Sequence, residues 1–92
     1  MANVVVTVKI MPEDPDTDLD VLKGEAEKAI NTYVGEGDIR EAREPVAFGL
    51  VALKLTFVMD EKKGGLDPLE DILRNLDGVN SVEVEDVRRA IG

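Results

Sequence analysis

Glu44–Met59, EPVAFGLVALKLTFVM, is the stretch of the sequence that decides the fold. From Leu50 onward its side chains alternate between two faces, which is the period of a β-strand and not of a helix. One face has Val51, Leu53, Leu55, Phe57 and Met59, and the other has Leu50, Ala52, Lys54, Thr56 and Val58. Because both faces are largely apolar, the pattern predicts a strand inside a sheet rather than at its edge.

A turn precedes this strand and carries one of the chain's three aromatic residues. Pro45 and Gly49 bracket it. Proline fixes φ and lacks a backbone donor, whereas glycine tolerates positive φ. The ring of Phe48 can either fold back onto the core or stand on the surface as an anchor for a partner, because aromatic residues are found in both settings.

The first half of the chain predicts a strand followed by a helix. Alternating apolar residues predict the strand over Asn3–Met11. Thr17 and Asp20 have the spacing of a capping box at the start of the helix. Gly35 and Gly37 predict its end. The apolar residues of this amphipathic helix recur at spacings of three and four: Leu19, Leu22, Ala26, Ala29, Ile30 and Tyr33.

The segments around the central strand are predicted less directly. Asp38–Glu44 has a weak pattern, and its interpretation as a second strand depends on the strong strand after it. Asp67 and Pro68 predict the start of a second helix, with aspartate as the N-cap and proline at the first helical position. The apolar stripe of this helix is formed by Leu69, Ile72, Leu73 and Leu76.

The order of these elements predicts the fold. Val82–Glu85, where valine alternates with glutamate, is the last predicted strand, and Asp86–Gly92 is a predicted tail that carries Arg88 and Arg89. The order βαββαβ is typical of a ferredoxin-like α+β sandwich, a four-stranded antiparallel sheet with two helices on one face. We therefore expect a single domain over residues 1–92, with the first and third strands central and the others at the edges.

The composition limits the function. With 20 acidic and 11 basic residues the net charge is −9, which disfavours nucleic-acid and anionic-membrane partners and favours a basic protein partner. The absence of cysteine and histidine excludes disulfides, thiolate chemistry and the commonest general base. No apolar run reaches the roughly 18 residues of a spanning helix, and the N-terminus lacks the pattern of a signal peptide. We expect a cytoplasmic protein.

No motif indicates catalysis. The pair Gly64–Gly65 lacks the spacing of a phosphate-binding loop, and the acidic clusters lack the spacing of a calcium loop. Acylphosphatases share the predicted fold and use an arginine and an asparagine, but Arg40, Arg43 and Asn80 adjoin no glycine loop of that kind. We therefore expect no enzyme activity, no catalytic residue, no metal site and no cofactor.

The chain resembles the archaeal translation elongation factor 1-beta family and the C-terminal catalytic domain of its eukaryotic relatives. The resemblance covers nearly the full length and is carried by the order and spacing of several stretches: Val8–Lys9, Asp16–Asp18, Pro45–Leu50, Val58–Glu61, Asp67, Leu69–Glu70 and Val79–Val84. It implies a guanine nucleotide exchange factor that promotes GDP release and GTP reloading of the GTPase elongation factor 1-alpha.

The resemblance also implies residues that bind this partner. In eukaryotic relatives an aromatic residue on the turn before the third strand docks into an apolar pocket of the GTPase, which implies this role for Phe48 with Ala47 and Gly49. A lysine near the C-terminus of those relatives reaches towards the magnesium site. Its position falls on Arg89, and a flexible tail would let Arg88 substitute. The alternative function is a regulatory module that binds a small ligand or pairs with itself through its sheet edges.

Overall fold

The computed structural model describes residues 3–89, and its order of elements is βαββαβ. The bounds are β1 (Asn3–Pro12), α1 (Leu19–Val34), β2 (Arg40–Pro45), β3 (Val51–Asp60), α2 (Asp67–Arg74) and β4 (Val79–Arg89). The strand order across the sheet is β2-β3-β1-β4, and every neighbouring pair is antiparallel. The predicted ferredoxin-like fold with β1 and β3 in the centre is confirmed, although β2 begins later than the predicted Asp38.

One face of the sheet forms the core together with both helices. The register of β1 with β3 pairs apolar residues on this face: Val4 with Met59, Val6 with Phe57, Val8 with Leu55, and Ile10 with Leu53. The helices add Leu22, Ala26, Ile30, Leu69 and Leu73 to the same buried cluster. Both helices therefore lie on one face, as the sequence predicted, and burial of these side chains is the main favourable term in folding.

The opposite face, here called the open sheet face, carries the intervening residues of each strand. On β1 and β3 these are Val5, Thr7 and Lys9, which pair with Val58, Thr56 and Lys54. Within residues 3–89 no helix packs on this face, since the buried residues of α1 and α2 all belong to the core on the other side. The open sheet face is therefore accessible to a partner.

The start of α1 differs from the prediction. Its N-cap is Asp18, whose carboxylate accepts hydrogen bonds from the backbone N–H groups of Asp20 and Val21. Thr17 instead closes the preceding turn, because its N–H donates to the carbonyl of Asp14 at 3.2 Å and its hydroxyl oxygen accepts from the N–H of Asp14 at 3.4 Å. The predicted capping box of Thr17 and Asp20 is wrong. The predicted end of α1 is confirmed by its C-cap, Gly35.

The second helix is also shifted. Its N-cap is Leu66, which provides no side-chain cap, and Asp67 is already helical with Pro68 behind it. Asp67 as the N-cap was wrong, although its charge near the positive end of the helix dipole is still favourable. The predicted apolar stripe is only partly buried: Ile72 is 45% exposed, and Leu76 lies beyond the end of the helix and packs on the edge of the core.

The predicted C-terminal tail is wrong over Asp86–Arg89, which belongs to β4. Arg88 pairs with Val5 and Arg89 pairs with Val4 of β1. The backbone groups at the start of β1 that face β4 therefore have hydrogen-bonding partners. A register shift between Thr7 and Val8 puts an additional residue into β4. Residues 90–92 of the predicted tail lie outside the described residues.

Truncation on the two faces of β3 should lower stability by very different amounts. Leu55 is fully buried and Val58 is 50% exposed. We expect Leu55→Ala to lower the free energy of unfolding by about 2–5 kcal/mol, because it removes core contacts and leaves a cavity. Val58→Ala should cost about 1 kcal/mol or less. Urea unfolding followed by circular dichroism measures both, and a similar large loss for Val58→Ala would contradict an uncovered sheet face.

Candidate partner-binding site

The turn between β2 and β3 is closed by its own backbone. Ala47–Gly49 forms one turn of 3₁₀ helix. The N–H of Val46 donates to the carbonyl of Leu50 at 2.8 Å, and the N–H of Leu50 donates to the carbonyl of Ala47 at 3.2 Å. These two bonds join the base of the turn, so the residue at its tip, Phe48, is held in one place.

Phe48 has an unusual backbone conformation and an exposed ring. Its φ of 63° and ψ of 31° lie in the left-handed helical region, and within residues 3–89 it is the one non-glycine residue with positive φ. That region costs an L-residue about 1–2 kcal/mol. Its side chain is 92% exposed, so the expected exposure is confirmed and burial of the ring against the core is wrong. Strain retained at an exposed aromatic residue is typical of a functional position.

Two further loops lie at the same end of the sheet. The carbon atoms of the Pro15 ring are 3.7 Å from the point where a Cβ on Gly49 would stand, so the loop after β1 lies beside the Phe48 turn. The N–H of Glu13 donates to the carbonyl of Gly78 at 2.8 Å and joins that loop to the turn before β4. We call this surface, formed by residues 13–18, 46–50 and 76–78, the Phe48 end.

All the charged side chains of the Phe48 end are acidic. Its three loops contain no lysine or arginine, and their exposed acidic residues are Glu13, Asp14, Asp16, Asp18 and Asp77. None of these carboxylates has an ion-pair partner in the part of the chain that the structure describes. The aromatic turn therefore stands at an acidic end of the molecule, which is complementary to a basic surface.

The two predicted arginines lie far from Phe48. β3 runs from the Phe48 turn to the other end of the sheet, where Met59 pairs with Val4 and Val4 pairs with Arg89. At about 3.4 Å per residue, the path from Val51 to Met59 is about 27 Å long. The structure therefore does not bring Phe48, Ala47 and Gly49 together with Arg88 and Arg89 in one site.

The two arginines also point to opposite faces of the sheet. Arg88 pairs with Val5 on the open sheet face, and its Nε donates to Oδ2 of Asp86 at 2.8 Å. Arg89 pairs with Val4 on the helix face, and its Nη2 donates to Oε1 of Glu61 at 3.3 Å. Because successive residues of a strand alternate, the two side chains cannot substitute for each other by a one-residue slip. The expectation that Arg88 could replace Arg89 is wrong.

A row of ion pairs crosses the middle of the open sheet face. Lys54 contacts Glu85 at 2.9 Å and Glu44 at 3.2 Å, and Lys9 contacts Glu44 at 3.6 Å. The hydrogen bond from Lys54 lowers the pKa of the Glu44 carboxyl below its usual value. Hydrogen bonds to Glu85 and then Glu44 raise the pKa of the Lys54 ammonium group. Glu44 and Lys54 are thus held in their charged forms, and neither is suited to proton transfer near neutral pH.

Arg40 and Arg43, the candidates for an acylphosphatase-like arginine, do not form an anion-binding site with Asn80. Arg43 donates to Asp20 and to Glu41 at 2.6 Å each, and the hydrogen bond from Arg43 lowers the pKa of the Asp20 carboxyl. Arg40 begins β2 opposite Thr56, in the middle of β3, whereas Asn80 lies in β4 near the Phe48 end. Hence these three residues are not assembled into one site.

Residues 3–89 contain no group of three or more acidic side chains placed to hold a metal ion. Over the same residues no polar or charged residue is buried, so a low-dielectric cluster of the kind that enzymes use is absent there. No described helix is long and apolar enough to cross a membrane. What the surface does offer is an exposed aromatic turn, an acidic end and a pair of exposed arginines.

A ferredoxin-like sheet that holds an exposed aromatic ring on a closed turn has the features of a small interaction domain. Comparison with known families identifies which one. Residues 5–90 match the model of the EF-1 guanine nucleotide exchange domain. The match spans almost the whole chain, including Phe48 and both arginines, and the chain belongs to this family.

Curated relatives named Elongation factor 1-beta agree with this assignment. The proteins of Methanosphaera stadtmanae and Methanothermobacter thermautotrophicus are each 45% identical over 89 residues, which cover 97% of this chain and 98% of each relative. The protein of Staphylothermus marinus is 47% identical over 92 residues, with the same coverage. The resemblance to the archaeal elongation factor 1-beta family is confirmed.

The strain at Phe48 can be measured by comparing two truncations that both remove the ring. We expect Phe48→Gly to be more stable to urea than Phe48→Ala by about 0.5–1 kcal/mol, because glycine adopts positive φ without the steric cost. Val21, 57% exposed on α1, provides the matched control. There the order should reverse, with Val21→Gly less stable than Val21→Ala by about 1 kcal/mol. Equal stability of the two Phe48 variants would contradict a strained turn.

Proposed function

We propose that this protein accelerates the release of GDP from elongation factor 1-alpha, so that the GTPase can bind GTP again during translation elongation. Family membership supports nucleotide exchange as the activity, and the name of the curated relatives supports translation elongation as the process. The observation that carries the proposal is the 92% exposed ring of Phe48 on a closed, strained turn. The proposed function also implies a cytoplasmic location, where elongation occurs.

Exchange of this kind is a problem of binding rather than of covalent chemistry. A GTPase holds GDP through its phosphates and a magnesium ion. A factor that binds the nucleotide-free conformation more tightly than the GDP-bound one shifts the population towards release. Such a factor needs complementary surfaces and no general base, which agrees with a chain that has neither histidine nor cysteine.

Phe48 is the proposed anchor, with Ala47 and Gly49 as its immediate contacts. Aromatic side chains that fill a pocket of the partner carry a large share of the binding energy in many interfaces. A preorganised turn lowers the entropy lost on binding, because the ring does not have to be ordered first. The carboxylates of the Phe48 end favour a basic rim around the pocket of the partner and should accelerate encounter at low salt.

Arg89 is the proposed cation at the other end. Because the sheet is a continuous ladder, a partner anchored at Phe48 meets the arginines only beyond the length of β3, which is about 27 Å from Val51 to Met59 in eight steps of about 3.4 Å. A guanidinium near the nucleotide site can pair with the carboxylates and phosphates that bind magnesium, and so weaken the hold on GDP. In the structure this side chain pairs only with Glu61, within the described residues, and is exposed enough to exchange partners.

Self-association through a sheet edge, one form of the alternative function, finds less support. β2 is an edge strand whose residues are all exposed. It ends in Pro45, and its other residues are mostly charged: Arg40, Glu41, Ala42, Arg43 and Glu44. Charges and proline on an edge strand are the usual means by which proteins prevent strand-to-strand pairing.

Release of labelled GDP from elongation factor 1-alpha tests the proposed function. The unaltered protein should accelerate release. Phe48→Ala should weaken binding about 30-fold, the equivalent of about 2 kcal/mol for a hot spot, with little change in stability. Val21→Ala, which truncates an exposed residue on α1, is the control and should behave like the unaltered protein. If the unaltered protein does not accelerate release, the proposed function is wrong.

Separate substitution of the two arginines tests the proposed cation. Arg89→Ala should lower the maximal rate of release at saturating factor more than it weakens complex formation, and excess magnesium should enlarge the difference. Arg88→Ala should keep the maximal rate, because its side chain points to the other face of the sheet. If the two variants lose the same fraction of the maximal rate, the arginines provide only general electrostatic attraction.

A further inference from the structure

The segment between β3 and α2 is held by contacts at both of its ends. We call residues 61–66 the β3–α2 loop. At its start the carboxylate of Asp60 accepts a hydrogen bond of 2.9 Å from the N–H of Lys62 and caps the 3₁₀ turn that follows β3. At its end the hydroxyl of Tyr33 donates to the carbonyl of Gly65 at 2.6 Å. The loop therefore has a defined position relative to the sheet and to α1.

Tyr33 is the one tyrosine of the chain, and it connects α1 to this loop in two ways. Its hydroxyl makes the hydrogen bond to Gly65. The ammonium nitrogen of Lys63 lies 5.8 Å from the centre of its ring, within the range of a cation–π interaction. The ring itself packs on the edge of the core. Because the core holds the ring, these two contacts fix the loop to the helix layer as well as to the end of β3.

The first residue of the loop, Glu61, carries the carboxylate that pairs with Arg89. Its Oε1 lies 3.3 Å from Nη2 of Arg89, and the two residues are 28 positions apart in the sequence. Arg88 instead pairs with Asp86, two positions away in its own strand. The contact of Arg88 needs only the strand, whereas the contact of Arg89 exists because the fold holds the β3–α2 loop within reach of β4.

The contact with Glu61 restrains the charge of Arg89 more than its orientation. One nitrogen contacts one oxygen, whereas the direction of a guanidinium is fixed when it contacts both oxygens of a carboxylate. The side chain of Arg89 is 73% exposed and that of Glu61 is 39% exposed, so the pair can open. The closed pair has almost no net charge. A phosphate or carboxylate of a partner therefore attracts Arg89 less strongly while Glu61 is in place.

We propose that Glu61 is a positioning residue that restrains Arg89, and that Tyr33 maintains this restraint by holding the β3–α2 loop. The pair has to open before the guanidinium can contact the anions of the GTPase, so the restraint lowers the maximal rate of GDP release. In the free protein the same pair lowers the attraction of Arg89 to other anions. The proposal rests on the proposed exchange function with Arg89 as its cation, and it adds an internal control of that cation.

The test measures GDP release from elongation factor 1-alpha as a function of factor concentration. Glu61→Gln keeps the shape of the side chain and removes its charge. It should raise the maximal rate about two- to fivefold, the range that loss of an exposed ion pair allows, and change the half-saturating concentration less. The matched control is Glu36→Gln, which should behave like the unaltered protein. Glu36 is an exposed residue just past α1 that makes no ion pair among residues 3–89.

Dependence on Arg89 distinguishes the restraint from a general change in charge or structure. In a protein that already has Arg89→Ala, Glu61→Gln should have no further effect on the maximal rate, because residues that act through one contact are not additive. Tyr33→Phe, which removes only the hydroxyl, should raise the maximal rate by less than Glu61→Gln does. This gain should also disappear without Arg89. Urea unfolding checks that each variant is folded.

An unchanged or lower maximal rate for folded Glu61→Gln would overturn the proposal, and a lower rate would mean that Glu61 orients Arg89 instead. An equal gain for Glu36→Gln, or a gain that persists without Arg89, would also overturn it, because the effect would then be general electrostatic attraction. An unchanged rate for Tyr33→Phe would overturn the role of Tyr33. Each of these results leaves the exchange function standing, whereas failure of the unaltered protein to accelerate release would overturn both.

Discussion

The antiparallel ladder between β1 and β3 determines where every proposed binding residue stands. Its register runs from the pair Asn3 and Asp60 to the pair Ile10 and Leu53. Because side chains alternate along a strand, this register puts the large apolar residues against the helices and leaves the other residues on the open sheet face. A slip of one residue would turn the core of one strand towards solvent, so the packing of the core also fixes the pattern of the exposed face.

The same ladder separates the proposed binding residues into two groups, one at each end of the sheet. The Phe48 turn continues directly into β3, and β4 reaches its arginines only where it pairs with the start of β1. The length of the sheet therefore sets the distance between Phe48 and the arginines of β4. No loop has to move to set this distance. This geometry is what the proposed exchange function requires of Phe48 and Arg89, which would contact different parts of the partner.

The sequence predicted the features that follow from burial. The period of two in Leu50–Met59 has one physical cause, alternation between the faces of a strand, so it predicted β3 and its central position correctly. Pro45 and Gly49 predicted a turn, but they left the ring of Phe48 open between the core and the surface, and only the family resemblance favoured the surface. The N-cap of α1 was not predictable, because Asp16, Thr17 and Asp18 are adjacent and each can accept from a helical N–H.

The last strand was predicted over Val82–Glu85, but its continuation through Asp86–Arg89 was missed for a different reason. Val84 and Val87 pair with Val8 and Val6 on the same face, although they are three residues apart, because an extra residue is inserted in β4. Such a bulge breaks the period on which a strand prediction depends. The open sheet face was equally hidden, since β3 has two largely apolar faces in the sequence and only the positions of the helices determine which face stays uncovered.

Contact with the partner at both ends of the sheet is most directly tested by cross-saturation NMR on the labelled protein bound to elongation factor 1-alpha. Saturation of the GTPase should reduce the amide signals of Ala47–Gly49 at one end and of Arg89 at the other. Amides on the outer sides of α1 and α2 should keep their intensity. Signal loss confined to the helices, or to one end of the sheet alone, would contradict the two-ended interface.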